Sequence, residues 1–256
     1  MALLHVHHYS KALRMNMDME VILPEKAKSQ IGLESRGGQG ACRVLYLLHG
    51  LSDDHTIWLR RTSIERYATR YHLAVIMPGT HRGFYTDMTY GFKYFTYLTK
   101  ELPVLCGRMF PQISRNRQDT FAAGLSMGGY GALKCALRAP ETFSKAAALS
   151  AVTDVARMAR EQPNPLLKDV FGTPGKVENS FNDLFAAASQ MAPEERPPLY
   201  MWCGTEDFLY QDNLRFRDHL QGLGYALTYE ESPGGHTWDC WDKKIQDALE
   251  WLMGDI

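Results

Sequence analysis

The 256-residue sequence has no excess of charge of either sign. It carries 28 Lys and Arg residues against 29 Asp and Glu residues, which gives a formal net charge of −1 at pH 7. No block of basic residues stands out along the chain. Nucleic acids and anionic membranes are bound through clustered Lys and Arg, so the sequence predicts neither as a partner.

Paired cysteines are lacking as well. The sequence contains five cysteines, and no two of them form a C-x-x-C pair. We therefore expect neither a zinc site nor a disulfide framework. Most of the cysteines lie within apolar runs, which is typical of buried thiols in a reducing compartment. They are Cys42, Cys106, Cys135, Cys203 and Cys240.

Long hydrophobic runs are the third absence. No apolar stretch approaches the roughly 20 residues that cross a membrane as a helix. Residues 1–8 lack the charged and then apolar pattern of a signal peptide. The sequence therefore predicts a cytoplasmic protein that makes no membrane contact.

What is present is an ordinary globular composition in one continuous chain. Apolar residues make up 45% and charged residues 22%, and a chain of this length can bury a full core without disulfides or metals. No linker, repeat or low-complexity tract divides it. We predict a single domain over 1–256.

Strand and helix patterns alternate from residue 43 onwards. Apolar runs typical of strands buried on both faces are separated by stretches with helical spacing, which predicts a doubly wound, mostly parallel sheet with helices on both faces. The runs are 43–48, 73–77, 120–123, 143–150 and 199–203, with an alternating strand at 225–231. Helices are predicted at about 56–70, 91–110 (disturbed at Pro103) and 129–137, and after 207 and 236.

Two other segments depart from this alternation. Strands at 3–9 and 16–23 come before it and predict an antiparallel edge of the sheet, followed by a polar surface connection over 24–40. Residues 151–198 contain six prolines. We expect short helices and loops in that segment, which would form a cap-like insertion over a substrate pocket.

The chain is organised around Gly124-Leu125-Ser126-Met127-Gly128, which lies between a predicted strand and a predicted helix. This is the G-x-S-x-G pattern of a nucleophile elbow, in which a strained turn exposes a serine at a helix N-terminus. A glycine-rich connection with an inert serine is the alternative. The choice depends on whether a base and an acid follow in the chain.

A base is expected in a loop that follows a strand. His236 meets this requirement, and Gly234-Gly235 before it allows the backbone to turn the imidazole towards the sheet edge. The competing His219 lies in the middle of a predicted helix, where we expect it to face solvent. His236 is therefore the predicted base, with a histidine that caps the last helix as the alternative.

The predicted acid is Asp207, in the turn after the strand at 199–203. Glu206 is adjacent and stays open as the alternative. Asp212 lies too far into the next helix, and Asp239 belongs to the first turn of the last one. The resulting chain order of serine, acid and histidine is the one this type of sheet uses.

An oxyanion hole needs two backbone N–H groups that point to one place. One is expected from Met127, directly after the serine. The other is expected from Leu51, in the loop after the first central strand, where Gly50 lets the peptide turn inward. His49 is predicted to brace this loop through hydrogen bonds.

Six motifs are spread over nearly the whole chain. They are YLLHGLS at 46–52, FAAGLSMGGYGA at 121–132, CGTEDFLY at 203–210, GGHTW at 234–238, WLRRT at 58–62 and GFYTD at 83–87. Together they resemble the esterase D family of α/β-hydrolases, which includes S-formylglutathione hydrolases, tributyrin and acetyl esterases, cinnamoyl esterases and mycolyltransferases. The last two motifs resemble the small bacterial tributyrin esterase-like branch.

The resemblance implies an α/β-hydrolase fold and a serine carboxylesterase for short acyl esters, with Ser126, Asp207 and His236 as its triad. It implies Leu51 and Met127 as oxyanion donors, no metal or organic cofactor, and a homo-oligomer, either a dimer or a tetramer. The sequence Ser52-Asp53-Asp54 stands where S-formylglutathione hydrolases usually have Thr-Cys, which disfavours that substrate.

The substrate pocket has three aromatic candidates, Trp58, Phe84 and Tyr85, each with core packing as an alternative. The 151–198 segment contains no tryptophan, so a stacking platform for a feruloyl group is not expected. Acetyl or butyryl esters, including acetylated sugars, are the predicted substrates. A glutathione thioesterase, a cinnamoyl or feruloyl esterase, and a non-catalytic binding scaffold are the alternatives.

Overall fold

A computed structural model describes residues 1–25, 31 and 40–254 of the chain. Most of the connection that we predict over 24–40 lies outside the described residues. Among the helices that are described, none combines the length and the apolar character needed to cross a membrane.

Eight strands form one sheet in the order β1-β2-β4-β3-β5-β6-β7-β8. The strands β1 and β2 pair antiparallel with each other, and β2 pairs antiparallel with β4. All other neighbours are parallel, so the predicted antiparallel edge is confirmed. The strands are β1 (Ala2–Ser10), β2 (Met15–Leu23), β3 (Arg43–Leu48), β4 (Leu73–Pro78), β5 (Thr120–Leu125), β6 (Lys145–Leu149), β7 (Leu199–Gly204) and β8 (Leu227–Ser232).

Helices cover both faces of this sheet, as the apolar runs predict. In β3, Val44, Tyr46 and Leu48 belong to one buried cluster. Leu45 and Leu47 belong to the other cluster, on the opposite face, because successive side chains of a strand alternate between its faces. The first face carries α5 (Met127–Arg138) and α9 (Tyr210–Gly222), and the second carries α10 (Trp238–Met253).

The helix predicted over 56–70 is two helices, α1 (Ile57–Arg61) and α2 (Ile64–Thr69). Thr62 separates them. Its hydroxyl donates to the carbonyl of Trp58 at 2.6 Å and accepts the N–H of Ile64 at 3.1 Å. This side chain competes with the helical backbone for its partners, and a periodicity search does not detect that effect.

The helix predicted over 91–110 begins at Tyr94 and is irregular. It consists of α3 (Tyr94–Thr96), a π-helical turn (Tyr97–Glu101) and α4 (Leu102–Met109). The disturbance comes just before Pro103 because proline has no N–H to offer the preceding turn. The N–H of Leu102 bonds instead to the carbonyl of Tyr97, five residues back.

The segment over 151–198 consists of short helices and loops, as predicted. Side chains of Asp154, Asn164 and Asp183 accept N–H groups at the starts of its three α-helices, which fixes where each helix begins. The helices are α6 (Val155–Glu161), α7 (Pro165–Phe171) and α8 (Leu184–Gln190), with 3-10 turns at Pro174–Lys176 and Pro193–Glu195.

A buried lysine joins this segment to the serine-bearing half of the molecule. Lys134 of α5 is fully buried, and its ammonium group donates to Thr86 Oγ1 at 2.8 Å and to Asn182 Oδ1 at 2.6 Å. Burial lowers the pKa of Lys134 to about 7, because the charged form loses its hydration there.

This lysine should make stability depend on pH. Its folded pKa of about 7 lies below its ordinary value of 10.5, so between these limits the unfolded chain binds a proton that the folded chain lacks. The free energy of unfolding then rises with pH, by up to about 1.4 kcal/mol per unit from this group. Urea unfolding at pH 7, 8 and 9 should show a flatter profile for Lys134→Met than for the wild type.

The matched control is Lys100→Met, which removes an exposed lysine paired with Glu141. That variant should keep the wild-type pH profile. Identical profiles for Lys134→Met and the wild type would contradict the prediction.

Candidate active site

Ser126 lies at the turn between β5 and α5, in a backbone conformation that L-residues rarely adopt. Its φ is 54° and its ψ is −117°. The flanking glycines allow the turn. A Cβ atom at Gly124 would lie 2.5 Å from the carbonyl carbon of Gly128, and one at Gly128 would lie 2.3 Å from the carbonyl oxygen of Leu48. The pattern thus corresponds to a strained turn whose neighbours have no room for side chains.

The predicted base and acid meet at this serine. The Nε2 atom of His236 is 3.0 Å from Ser126 Oγ, and its Nδ1 atom is 2.8 Å from Asp207 Oδ2. The three residues follow the C-terminal ends of β5, β7 and β8, which lie at one edge of the sheet because these strands are parallel. The arrangement allows a proton to pass from the hydroxyl to the imidazole while the carboxylate stabilises the imidazolium.

Of the two candidate acids, Asp207 and Glu206, only Asp207 is buried. The Asp207 side chain has no exposed surface, whereas Glu206 is exposed. Burial alone would raise the pKa of Asp207, but hydrogen bonds from His236 and from the N–H of Leu209 outweigh that cost and hold the pKa below its usual value. The carboxylate is therefore ionised at neutral pH.

The competing histidine, His219, lies away from this cluster and has a structural contact. Its Nε2 atom is 3.0 Å from the carbonyl oxygen of Phe185 in α8, and its ring packs against Phe185 and Phe216. His219 is half-buried, so the expectation that it faces solvent is correct only in part. Periodicity within α9 cannot show that α8 packs over that position.

The two N–H groups predicted for an oxyanion hole are not engaged by the backbone. Met127 is the first residue of α5, so its N–H has no intrahelical acceptor. Within the described part of the chain, the N–H of Leu51 has no backbone acceptor either. Both donors lie next to Ser126 in one cavity.

The loop that carries Leu51 is held by buried hydrogen bonds. The Nε2 atom of His49 accepts the N–H of Thr80 at 3.0 Å, and its Nδ1 atom bonds to the Gly50 carbonyl at 2.8 Å. Burial lowers the pKa of His49 to about 4, so the ring is neutral and can accept and donate at once. The bracing predicted for His49 is present in the structure.

Of the three aromatic residues predicted for the pocket, the structure places only Phe84 at the cavity beside Ser126. Trp58 and Tyr85 are fully buried elsewhere. The indole of Trp58 donates to the Leu48 carbonyl at 3.1 Å, and the hydroxyl of Tyr85 donates to the His49 carbonyl at 2.8 Å. Both therefore support the backbone around the site, because each large ring has one polar atom that needs a buried partner.

The cavity has a volume of about 420 Å³ and lies between the serine turn and α6. Its lining combines apolar and polar side chains. The apolar ones are Leu51, Phe84, Met127, Val152, Met158, Phe208 and Leu209, and the polar ones besides Ser126 are Arg157, Glu161, Gln162, Gln211 and Asp212.

The polar residues of the lining include an ion-pair network that sequence analysis missed. Arg157 of α6 contacts Asp212 at 2.6 Å and Glu161 at 2.9 Å. Arg215 of α9 contacts Asp212 at 2.9 Å and Asp154 at 3.0 Å. The spacings of Arg157–Glu161 and Asp212–Arg215, four and three residues, were visible in the sequence, whereas the pairs between α6 and α9 were not. The network joins the 151–198 segment to α9.

Ser150 is a second residue that sequence analysis missed. It directly follows β6 with a φ of 48° and is fully buried. Its Oγ accepts the indole N–H of Trp241 at 3.1 Å, and its hydroxyl contributes to holding the pKa of the Asp207 carboxyl below its usual value. Its position immediately after a buried strand was the available signal.

Both the sequence and the fold are similar to those of known proteins. The family described as "Putative esterase" matches residues 10–252. The chain belongs to this esterase family. A curated relative of this esterase, "Acetyl esterase" from Caldicellulosiruptor saccharolyticus, is 34% identical over 266 residues, which cover 98% of each chain.

Two solved structures from Staphylococcus aureus also resemble the esterase over its full length. The fluorophosphonate-binding serine hydrolase FphF is 36% identical with a TM-score of 0.88, and the S-formylglutathione hydrolase FrmB is 36% identical with a TM-score of 0.86. Each alignment covers 99% of both chains. The predicted resemblance to the esterase D family and the predicted α/β-hydrolase fold are confirmed.

Ser150→Ala should slow the esterase without unfolding it. The change removes a buried hydroxyl that helps to hold the pKa of Asp207 low and that accepts the indole N–H of Trp241. Loss of such a buried partner costs about 1 kcal/mol, so we expect kcat for p-nitrophenyl acetate to fall about fivefold with little change in KM. The control is Ser144→Ala, which removes a buried hydroxyl at the other end of β6. Equal kcat values for the two variants would contradict a positioning role for Ser150.

Proposed function

We propose that the protein is a serine carboxylesterase that hydrolyses short-chain acyl esters through an acyl-enzyme on Ser126. Its membership of the esterase family makes it a carboxylic ester hydrolase. The observation that carries the serine mechanism is the unbroken hydrogen-bond chain from Ser126 through His236 to Asp207, with spacings of 3.0 and 2.8 Å.

The proposed reaction has two steps. His236 takes the hydroxyl proton as Ser126 Oγ attacks the ester carbonyl, and the alcohol leaves with that proton, so that an acyl-serine remains. Water then attacks the acyl group, His236 takes the proton of the water, and the acid leaves as Ser126 regains its hydrogen. The N–H groups of Leu51 and Met127 would hold the oxyanion in both steps. None of these steps needs a metal or an organic cofactor.

The cavity supports a small acyl group attached to a polar alcohol. Leu51, Phe84 and Met127 line the cavity together with Ser126 and suit an acetyl or butyryl chain. Gln162 and Gln211 belong to the same lining and offer hydrogen bonds to hydroxyl groups. Acetylated sugars are therefore our preferred substrates, in agreement with the similarity to an acetyl esterase.

A second candidate is hydrolysis of S-formylglutathione. The 36% identity to the S. aureus S-formylglutathione hydrolase favours it. The charges at the cavity oppose it, because the wall contains one cationic side chain, Arg157, against the two carboxylates of Glu161 and Asp212, and both of them pair with Arg157. Glutathione is anionic, and these carboxylates would repel it.

The proposal extends to the domain organisation, the compartment and the oligomeric state of the protein. The chain would act as one domain in which residues 151–198 cover the substrate, since α6 forms part of the cavity wall. It would work in the cytoplasm, where its five free thiols, four of them buried, suit a reducing environment. It would assemble as a dimer or a tetramer, which light scattering can measure.

The roles of the three residues can be tested by substitution. We expect Ser126→Ala and His236→Ala to lower kcat/KM for p-nitrophenyl acetate by about 10⁴-fold or more, and Asp207→Asn by about 10³- to 10⁴-fold, with the thermal melting temperature close to that of the wild type. The matched control for the acid is Glu206→Gln, which changes the adjacent carboxylate and should keep near-normal turnover. Normal turnover in Asp207→Asn with collapse in Glu206→Gln would move the acid by one residue.

A hydrolysis panel tests the substrate class. We expect acetyl and butyryl esters and acetylated xylose to give the highest kcat/KM, with octanoyl esters and methyl ferulate at least tenfold lower because charged and amide side chains share the cavity with the apolar ones. S-formylglutathione belongs in the same panel. A kcat/KM for the thioester above that for every oxygen ester would reverse our order of the two candidates.

A further inference from the structure

The antiparallel edge of the sheet carries a cluster of side chains that ester hydrolysis does not use. His5 of β1 lies directly across from Glu20 of β2 in the strand register, and its Nδ1 atom contacts Glu20 Oε1. His55, from the loop between β3 and α1, approaches the same oxygen with its Nε2 atom at 4.0 Å. Two imidazoles and a carboxylate from three separate segments thus converge on one place.

Glu20 is the unusual member of this cluster. It is a glutamate only 5% exposed, and within the described residues its ion-pair partners are both histidines. A buried carboxylate is costly unless a positive charge compensates it. The two histidines bring imidazole nitrogens, which are common metal ligands, to this carboxylate. A cation bound between the three groups would satisfy all of them.

We propose that His5, Glu20 and His55 form a binding site for a divalent transition-metal ion of the zinc class. The three ligand atoms lie within 4.8 Å of one another. Tetrahedral bonds of about 2.0–2.2 Å to zinc place the ligand atoms about 3.4 Å from one another. His55 would therefore move closer to Glu20, from 4.0 Å, and the contacting pair of His5 and Glu20 would open to admit the ion. The His5 side chain can supply this movement because it is 52% exposed. Water would complete the tetrahedron.

The donor set selects the ion. Two imidazoles and one carboxylate suit zinc, nickel or copper, whereas magnesium and calcium prefer oxygen ligands throughout. The neighbouring pair of His7 and Asp18 is exposed on the same face, and the His7 ring lies 5.0 Å from the His5 ring. A His7 variant therefore tests whether binding needs the trio alone or any exposed histidine on this face.

The site adjoins the loop of the proposed oxyanion hole without being part of it. His55 lies four residues after Leu51 in the same loop, and the other end of that loop is held by the bond between His49 and Thr80. A bound ion would attach the end of the loop that leads into α1 to the edge of the sheet. Its expected role is structural, and it takes no part in the reaction at Ser126.

The test is a titration of EDTA-treated full-length protein with ZnCl2 by isothermal titration calorimetry. We expect one ion per chain with a Kd of about 1 µM or tighter. His5→Asn, Glu20→Gln and His55→Asn should each raise the Kd at least tenfold, whereas the control His7→Asn should change it less than about twofold. Substitution with Co²⁺ gives an absorption spectrum that reports tetrahedral coordination.

Thermal melting gives a second readout that does not depend on activity. Zinc at about one hundred times its Kd should raise the Tm of the wild type by about 5 °C and leave that of His5→Asn unchanged. His5→Asn is decisive if Glu20→Gln fails to fold, because it changes a half-exposed side chain. Binding weaker than about 100 µM, binding that survives in His5→Asn, or binding lost equally in His7→Asn would overturn the proposal.

Discussion

The contact between the backbones of the serine turn and β3 is the constraint on which the rest of the site depends. Gly128 lies so close to the carbonyl of Leu48 that no side chain fits between them, and Gly124 packs as closely against Gly128. This contact sets the position of the Ser126 hydroxyl and of the Met127 N–H together. It also brings the loop after β3, which carries Leu51, against the same turn. One steric requirement thus places the proposed nucleophile and both proposed oxyanion donors.

A layer of buried polar side chains holds this arrangement in place. His49, Trp58 and Tyr85 each give a hydrogen bond to, or accept one from, the backbone at the end of β3 or β4. Each of these bonds contributes about 1 kcal/mol net, and loss of one partner leaves the other unsatisfied at greater cost. Buried hydrogen bonds therefore support the loops after β3 and β4.

The sequence allowed prediction of the sheet, its antiparallel edge and the meeting of Ser126, Asp207 and His236, because each depends on local pattern and on chain order at strand ends. The break at Thr62 was missed, since it depends on a side chain that competes for backbone partners. Trp58 and Tyr85 were assigned to the pocket because aromatic residues near motifs resemble pocket walls, whereas their burial depends on packing between distant segments. The network of Arg157, Asp212 and Arg215 was invisible for the same reason.

The proposed nucleophile and the proposed base follow strands that differ in burial. The serine and its proposed oxyanion donors follow β5, which is buried throughout, and β3, which is buried from Val44 onwards. His236 follows β8, an edge strand whose residues are all at least partly exposed. Exposed edges open locally at lower free energy than buried central strands. Local opening would therefore reach the proposed base before it reaches the proposed nucleophile.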